Sequence, residues 1–133
     1  MRKNWIVHGV LGVLPESGDV WFNPHDYSHE NALEMVELIL EAAYERGYRR
    51  VTIVHGAADV SSPLAALHRG RGSIKFGIRR ALNEGAYMEW AYYARSKKHE
   101  RNVHANRISL ALRRNPTPTP DTSWPELPSP YYA

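Results

Sequence analysis

The chain has 133 residues, 43% of them apolar and 23% charged, a composition that suits one hydrophobic core and is too apolar for wholesale disorder. It contains no Cys, so disulfides, thiolate zinc sites and a Cys nucleophile are excluded, and any chemistry falls to His, carboxylate, hydroxyl or backbone groups. The net charge of +3 hides an asymmetry: residues 1–68 carry five Lys/Arg against nine Asp/Glu, residues 69–114 carry twelve against three, and the remainder adds only Asp121 and Glu126.

The first apolar run, Trp5 to Val13, is interrupted by His8, Gly9 and Gly12 and falls far short of the roughly 20 residues of a membrane span. No small-residue cleavage site follows it, so a cytosolic protein with no membrane partner is expected. Val10 to Leu14 and Asp19 to Phe22 flank Pro15-Glu16-Ser17-Gly18, a turn-forming sequence, which predicts a strand pair. The second of these strands runs into a loop at Asn23-Pro24-His25, because Pro24 cannot donate to a sheet ladder. A helix is predicted from Ser28, its N-cap, with Ala32, Val36, Ile39, Leu40 and Ala43 at helical spacing and Gly47 closing it. Val51 to Val54 is a short, nearly all-apolar strand of the kind buried on both faces, and it ends at His55-Gly56.

Strand, helix, strand in this order is a βαβ unit, whose crossover sets the two strands parallel with their carboxyl ends on one edge of the sheet. His25 and His55 are therefore expected to be neighbours. After a loop over 57–68 comes Arg69-Gly70-Arg71-Gly72-Ser73, then a second helix with Ile74, Ile78, Ala81 and Leu82 on its buried stripe, Ser73 as its cap and Gly85 beyond its end. Ala86 to Ala94 and Arg107 to Arg113 are predicted as two further strands separated by a polar loop, Arg95 to Ala105. Residues 115–133 hold six of the nine prolines and no strand or helix period, and are expected to form an extended tail behind a single domain of residues 1–114.

Ligands of open α/β sheets bind beyond the carboxyl ends of strands, where both histidines fall. The amino terminus of the second helix favours an anion there, with Arg69, Arg71 and Lys75 around it and Gly70 and Gly72 letting backbone approach a phosphate. Clustered cations attract polyanions, since neutralised phosphates release counterions. Two imidazoles beside a phosphate suit acid–base cleavage of a phosphodiester, because His populates both protonation states near neutral pH. The competing readings are structural histidines and a solvated basic loop. A metal site built from His25, His29, Asp26 and Asp59 follows no recognised ligand spacing, so no cofactor is expected, with Mg²⁺ dependence left as the alternative.

Over residues 19–114 these motifs resemble the Smr (small MutS-related) domain family. The family's hydrophobic-Asp-x-His-Gly strand end reads here as Phe22-Asn23-Pro24-His25-Asp26, and its His-Gly-x-Gly motif as His55-Gly56-Ala57-Ala58. Its Gly-rich turn and helix resemble Gly70-Arg71-Gly72-Ser73-Ile74-Lys75, and its last strand resembles Ala105 to Arg113. The resemblance implies a two-layer α/β sandwich with a βαβαββ core like the carboxyl-terminal domain of translation initiation factor 3, here with an extra amino-terminal strand. It also implies nucleic-acid binding and, in many members, endonuclease activity on RNA or nicking of DNA. Two positions depart from the pattern. The acid before the first His is Asn23, which cannot act as a general base, and the second Gly of the His-Gly-x-Gly motif is Ala58.

The leading expectation is an Smr-like endonuclease, acting on RNA rather than DNA, with His25 and His55 catalytic beside Asn23 and Asp26. Gly56, Arg69, Gly70, Arg71, Gly72, Ser73 and Lys75 would hold the nucleic acid. The alternatives are a noncatalytic nucleic-acid-binding module and an adaptor whose Pro-rich tail, with Trp124 to Tyr132, engages a protein partner or the protein's own body.

Overall fold

The computed structural model describes residues 5–7, 11–24, 27, 29–54, 74–92, 101–103 and 107–127. Among the described residues six strands form one sheet: β1 (Trp5–Val7), β2 (Leu11–Leu14), β3 (Asp19–Phe22), β4 (Arg50–Val54), β5 (Arg101–Val103) and β6 (Arg107–Ala111), in the order β1-β2-β3-β4-β6-β5. Among the described residues two helices, α1 (His29–Glu45) and α2 (Ile74–Asn83), accompany the sheet in a mixed α/β fold. Strands β3 and β4 are parallel, in the register Val20↔Val51 and Phe22↔Ile53, while all other neighbours are antiparallel. The βαβ unit inferred from residues 19–54 is therefore present. Ahead of it, β2 and β3 form a hairpin closed by Gly18, which adopts φ 75° and donates its N–H to the Leu14 carbonyl at 3.0 Å.

Period-two alternation in the strands decides which face is buried. Leu11, Phe22, Ile53 and Ile108 form one cross-strand row and Val13, Val20, Val51 and Leu110 the next, every one of them buried. Ala32, Val36, Ile39, Leu40 and Ala43 of α1 and Ile78 and Leu82 of α2 join the same core, and α1 contacts both β4 and α2. Strand β4 is the central one, with Val51, Thr52 and Ile53 all buried. The Thr52 hydroxyl would be costly there without a partner, and it pairs with the Ser109 hydroxyl at 2.8 Å.

Both helices end on a glycine in the left-handed region, at Gly47 and Gly85, each with φ 79°. At the first, Tyr48 N–H donates to the Ala43 carbonyl at 3.0 Å and Gly47 N–H to that of Tyr44 at 3.1 Å. Ala86 and Gly85 repeat the pattern on Ala81 and Leu82. These are Schellman closures, in which only glycine avoids a steric penalty.

The structure corrects the carboxyl-terminal half of the sequence-based reading in two places. Residues 86–90 are turns and not a strand. Trp90 N–H and Ala91 N–H both donate to the Tyr87 carbonyl, at 3.1 and 2.9 Å, so Tyr87, Trp90 and Ala91 are buried at turn spacing, not by alternation. Only Ala91 bridges to the sheet, opposite Leu112; residues 93 and 94 lie outside the described residues. The strand paired with β6 is instead β5, inside the stretch expected to be a polar loop. Arg101-Asn102-Val103 lacks an apolar period because it is an edge strand, where polar residues are favoured. A further strand, β1, sits at the other edge.

Residues 115–127 of the tail form neither helix nor strand, and they lie on α1. A helix leaves its last carbonyls without intrahelical partners, and here Asn115 Nδ2 donates to the Tyr44 carbonyl at 3.0 Å and Thr119 N–H to that of Glu45 at 2.8 Å. Arg46, 8% exposed, donates through Nη1 to the Ala42 carbonyl at 2.9 Å, through Nε to that of Thr122 at 3.2 Å and through Nη2 to that of Ser123. Its guanidinium also lies 5.1 Å from the centre of the Trp124 ring, which meets Tyr48 edge-on at 5.4 Å, and Leu127 is buried in the core.

Candidate functional site

Parallel register sends the chain out of the sheet on one edge after both Phe22 and Val54. That edge is where the sequence places its candidate chemistry. Asn23 follows β3 directly and is exposed, and Pro24 beneath it is buried. The Pro24 carbonyl accepts the Tyr27 N–H at 2.9 Å, and the Tyr27 ring is buried 6.2 Å from that of Phe22. The exit of β3 is thus pinned to the core by an aromatic pair, immediately before α1. Val54 ends β4 opposite Arg107, the first residue of β6.

Among the site residues expected from the sequence, Asn23 takes its place at this edge and Lys75 falls in the first turn of α2. His25, Asp26, His55, Gly56, Arg69, Gly70, Arg71, Gly72 and Ser73 lie outside the described residues, as does Ser28, the expected cap of α1. Among the described residues no three His, Asp or Glu side chains group as a metal site, and no helix is long and apolar enough to cross a membrane.

The family model of the Smr domain matches residues 23–103. The chain belongs to the Smr family. The matched stretch begins at Asn23, the residue standing where the Smr strand end carries an acid, and ends at Val103, the last residue of β5. No curated protein and no solved structure matches the chain. Membership ties this Smr domain to nucleic acid, through nuclease or binding function. The parallel β3–β4 pair then gives the two motif strands a common exit edge.

Two residues that the sequence reading left aside stand next to this edge. Trp21 is 38% exposed, and the Arg107 guanidinium lies 5.9 Å from its ring centre. Trp21 occupies the same phase of β3 as Asp19 and Asn23, opposite to the buried Val20 and Phe22. The signal was present in the sequence: a large aromatic on the polar phase of an alternating strand contributes little to the core behind it.

Proposed function

We propose that the protein is an Smr endonuclease that cleaves phosphodiester bonds, of RNA in preference to DNA, at the carboxyl edge of β3 and β4. In this reading His25 and His55 share the acid and base roles. One imidazole takes the proton of the attacking hydroxyl as the new P–O bond forms, and the other protonates the leaving oxygen as the old bond breaks. Arg69, Arg71 and Lys75, with the backbone around Gly56, Gly70, Gly72 and Ser73, hold the strand and offset charge growing on the phosphorane. The fold belonging to this reading is the two-layer βαβαββ arrangement of the carboxyl-terminal domain of translation initiation factor 3, extended at the amino terminus.

The observation that carries the proposal is the parallel register Phe22↔Ile53 directly before an Smr match that begins at Asn23, because strands that end together deliver the residues after them to one edge. Labelled single-stranded RNA and supercoiled and structured DNA, incubated with and without Mg²⁺, test it. Cleavage by the wild type that falls at least about 100-fold in both His25→Ala and His55→Ala is expected. Full activity in His55→Ala overturns the assignment.

A second reading, a noncatalytic nucleic-acid-binding module, draws on Asn23, an exposed amide at the family's acidic position. It predicts salt-dependent binding without turnover. Within the endonuclease reading Asp26 or Asp59 supplies the missing carboxylate, and the Asp26→Asn, Asp59→Asn double variant is expected to slow cleavage while leaving binding intact.

A further inference from the structure

We infer that the sheet face carrying Trp21 and Arg107 is a stacking platform for an unpaired base of the bound strand, one step away from the site of cleavage. This rests on the nucleic-acid reading above and adds to it a surface that recognises bases, where the candidate site recognises phosphate.

Four observations meet on that face. Trp21 is exposed, and its indole and the Arg107 guanidinium already form a cation–π pair at 5.9 Å, the arrangement that bases join readily because every base has a π-face. Arg107 sits across β4 from Trp21, so the pair spans that strand, on which Thr52 is in register with Trp21 and Val54 with Arg107. Gly12, directly opposite Trp21 on β2, has open space above it: a Cβ built there meets no atom within 4 Å. Among the described residues no atom fills that space, so a flat ring has room beside the indole. Finally, Trp21 is two residues, about 7 Å of strand, from Asn23, and Arg107 is paired with Val54, the residue before His55.

Charge selects the occupant. On this face strand β6 contributes Arg107 and no acid, and it belongs to the stretch with twelve Lys/Arg against three Asp/Glu. An exposed aromatic backed by cations suits a single strand of nucleic acid, whose phosphates the cations meet while the ring takes a base. The two faces of the sheet then have separate work, one burying the core and the other holding substrate.

The test compares the full chain's affinity for a labelled oligouridine with its affinity for a strand of the same length and charge made of abasic nucleotides. The wild type is expected to prefer the base-bearing strand by at least about fivefold, the lower end of the effect of one stacked base. Trp21→Ala should abolish that preference without changing the salt dependence, and Trp21→Phe should keep most of it. Gly12→Val fills the open space and suits a strand, so it should weaken the preference while leaving the unfolding midpoint at or above that of the wild type. A wild type that binds both strands equally overturns the platform and leaves the nucleic-acid reading standing. A wild type that binds neither overturns both. A folded Trp21→Ala that retains the full preference, or that changes only the oligomeric state, also overturns the platform.

Discussion

The two ends of the parallel β3–β4 pair are built for different purposes. At the amino end, backbone and tail converge: the Gly18 carbonyl accepts N–H groups from Arg49 at 2.8 Å and Arg50 at 3.1 Å, and Leu112 N–H reaches the Arg49 carbonyl at 2.9 Å. Residues 115–127 complete that end by taking up the last carbonyls of α1. At the carboxyl end Asn23, Trp21 and Arg107 are exposed, above the buried Pro24 and Tyr27. Arginine illustrates the contrast. Arg46 is buried and spends its donors on three backbone carbonyls, and Arg113 donates to the Met88 carbonyl at 2.6 Å while stacking over Tyr92. Arg107 at the opposite end stays accessible above an indole. A basic protein that binds a polyanion therefore does so with only part of its cations, and the rest tie the scaffold.

If the ends are separable, changes at one should leave the other's readout alone. The largest effect is expected at the carboxyl edge, where His55→Ala should lower cleavage at least about 100-fold and leave the urea unfolding midpoint unmoved. A fall in stability of the same variant would break the contrast. At the amino end, Arg46→Ala should cost about 3 kcal/mol in urea unfolding, because it removes a buried guanidinium that donates to the carbonyls of Ala42, Thr122 and Ser123 and ties the tail to α1. Affinity for RNA at a temperature where the variant is folded should not change.

Tyr87 sharpens the scaffold side through pH. Burial, reinforced by the negative charge of Glu37, pushes its phenol up from 10.0 to about 12. The folded state therefore keeps a proton that the unfolded chain releases. The stability is fully present below pH 10 and is lost as pH rises toward 12, by about 2–3 kcal/mol for a shift of this size. Urea titrations from pH 9 to 12 should show that loss in the wild type and a smaller one in Tyr87→Phe. The smallest effect is expected at Gly47, where φ 79° and a Cβ position 2.8 Å from Pro118 penalise a side chain. Gly47→Ala should cost about 1–2 kcal/mol and leave activity untouched.

The legibility of the chain followed the regularity of its hydrophobic period. Residues 19–54 alternate cleanly, then repeat every three to four residues, then run apolar, and each pattern corresponds to the element found, including the parallel pairing that follows from their order. Tyr87, Trp90 and Ala91 misled because aromatic residues in a tight turn after a Schellman closure resemble a half-buried strand when only composition is read. Edge strand β5 gave the opposite error, since three residues with one apolar side chain carry no period to detect. For the candidate site, residue types and their order were visible, and the Smr match over 23–103 spans His25, His55 and the turn at Gly70 to Lys75, while the quoted last strand, Ala105 to Arg113, lies beyond it. The approach of Arg107 to Trp21 was not, because it depends on two segments far apart in sequence.

What the sequence determined by itself was local and periodic: two helices with their glycine closures, the β3–α1–β4 unit, and the segregation of positive charge into residues 69–114. Each of these follows from near-neighbour sterics or from side chains a few positions apart. Only the tertiary structure decided that β6 lies beside β4 and so brings Arg107 across to Trp21, and that the proline-rich tail closes over α1. Those outcomes depend on which buried faces fit together and on which carbonyls remain unpaired once they do, and no local pattern contains that information.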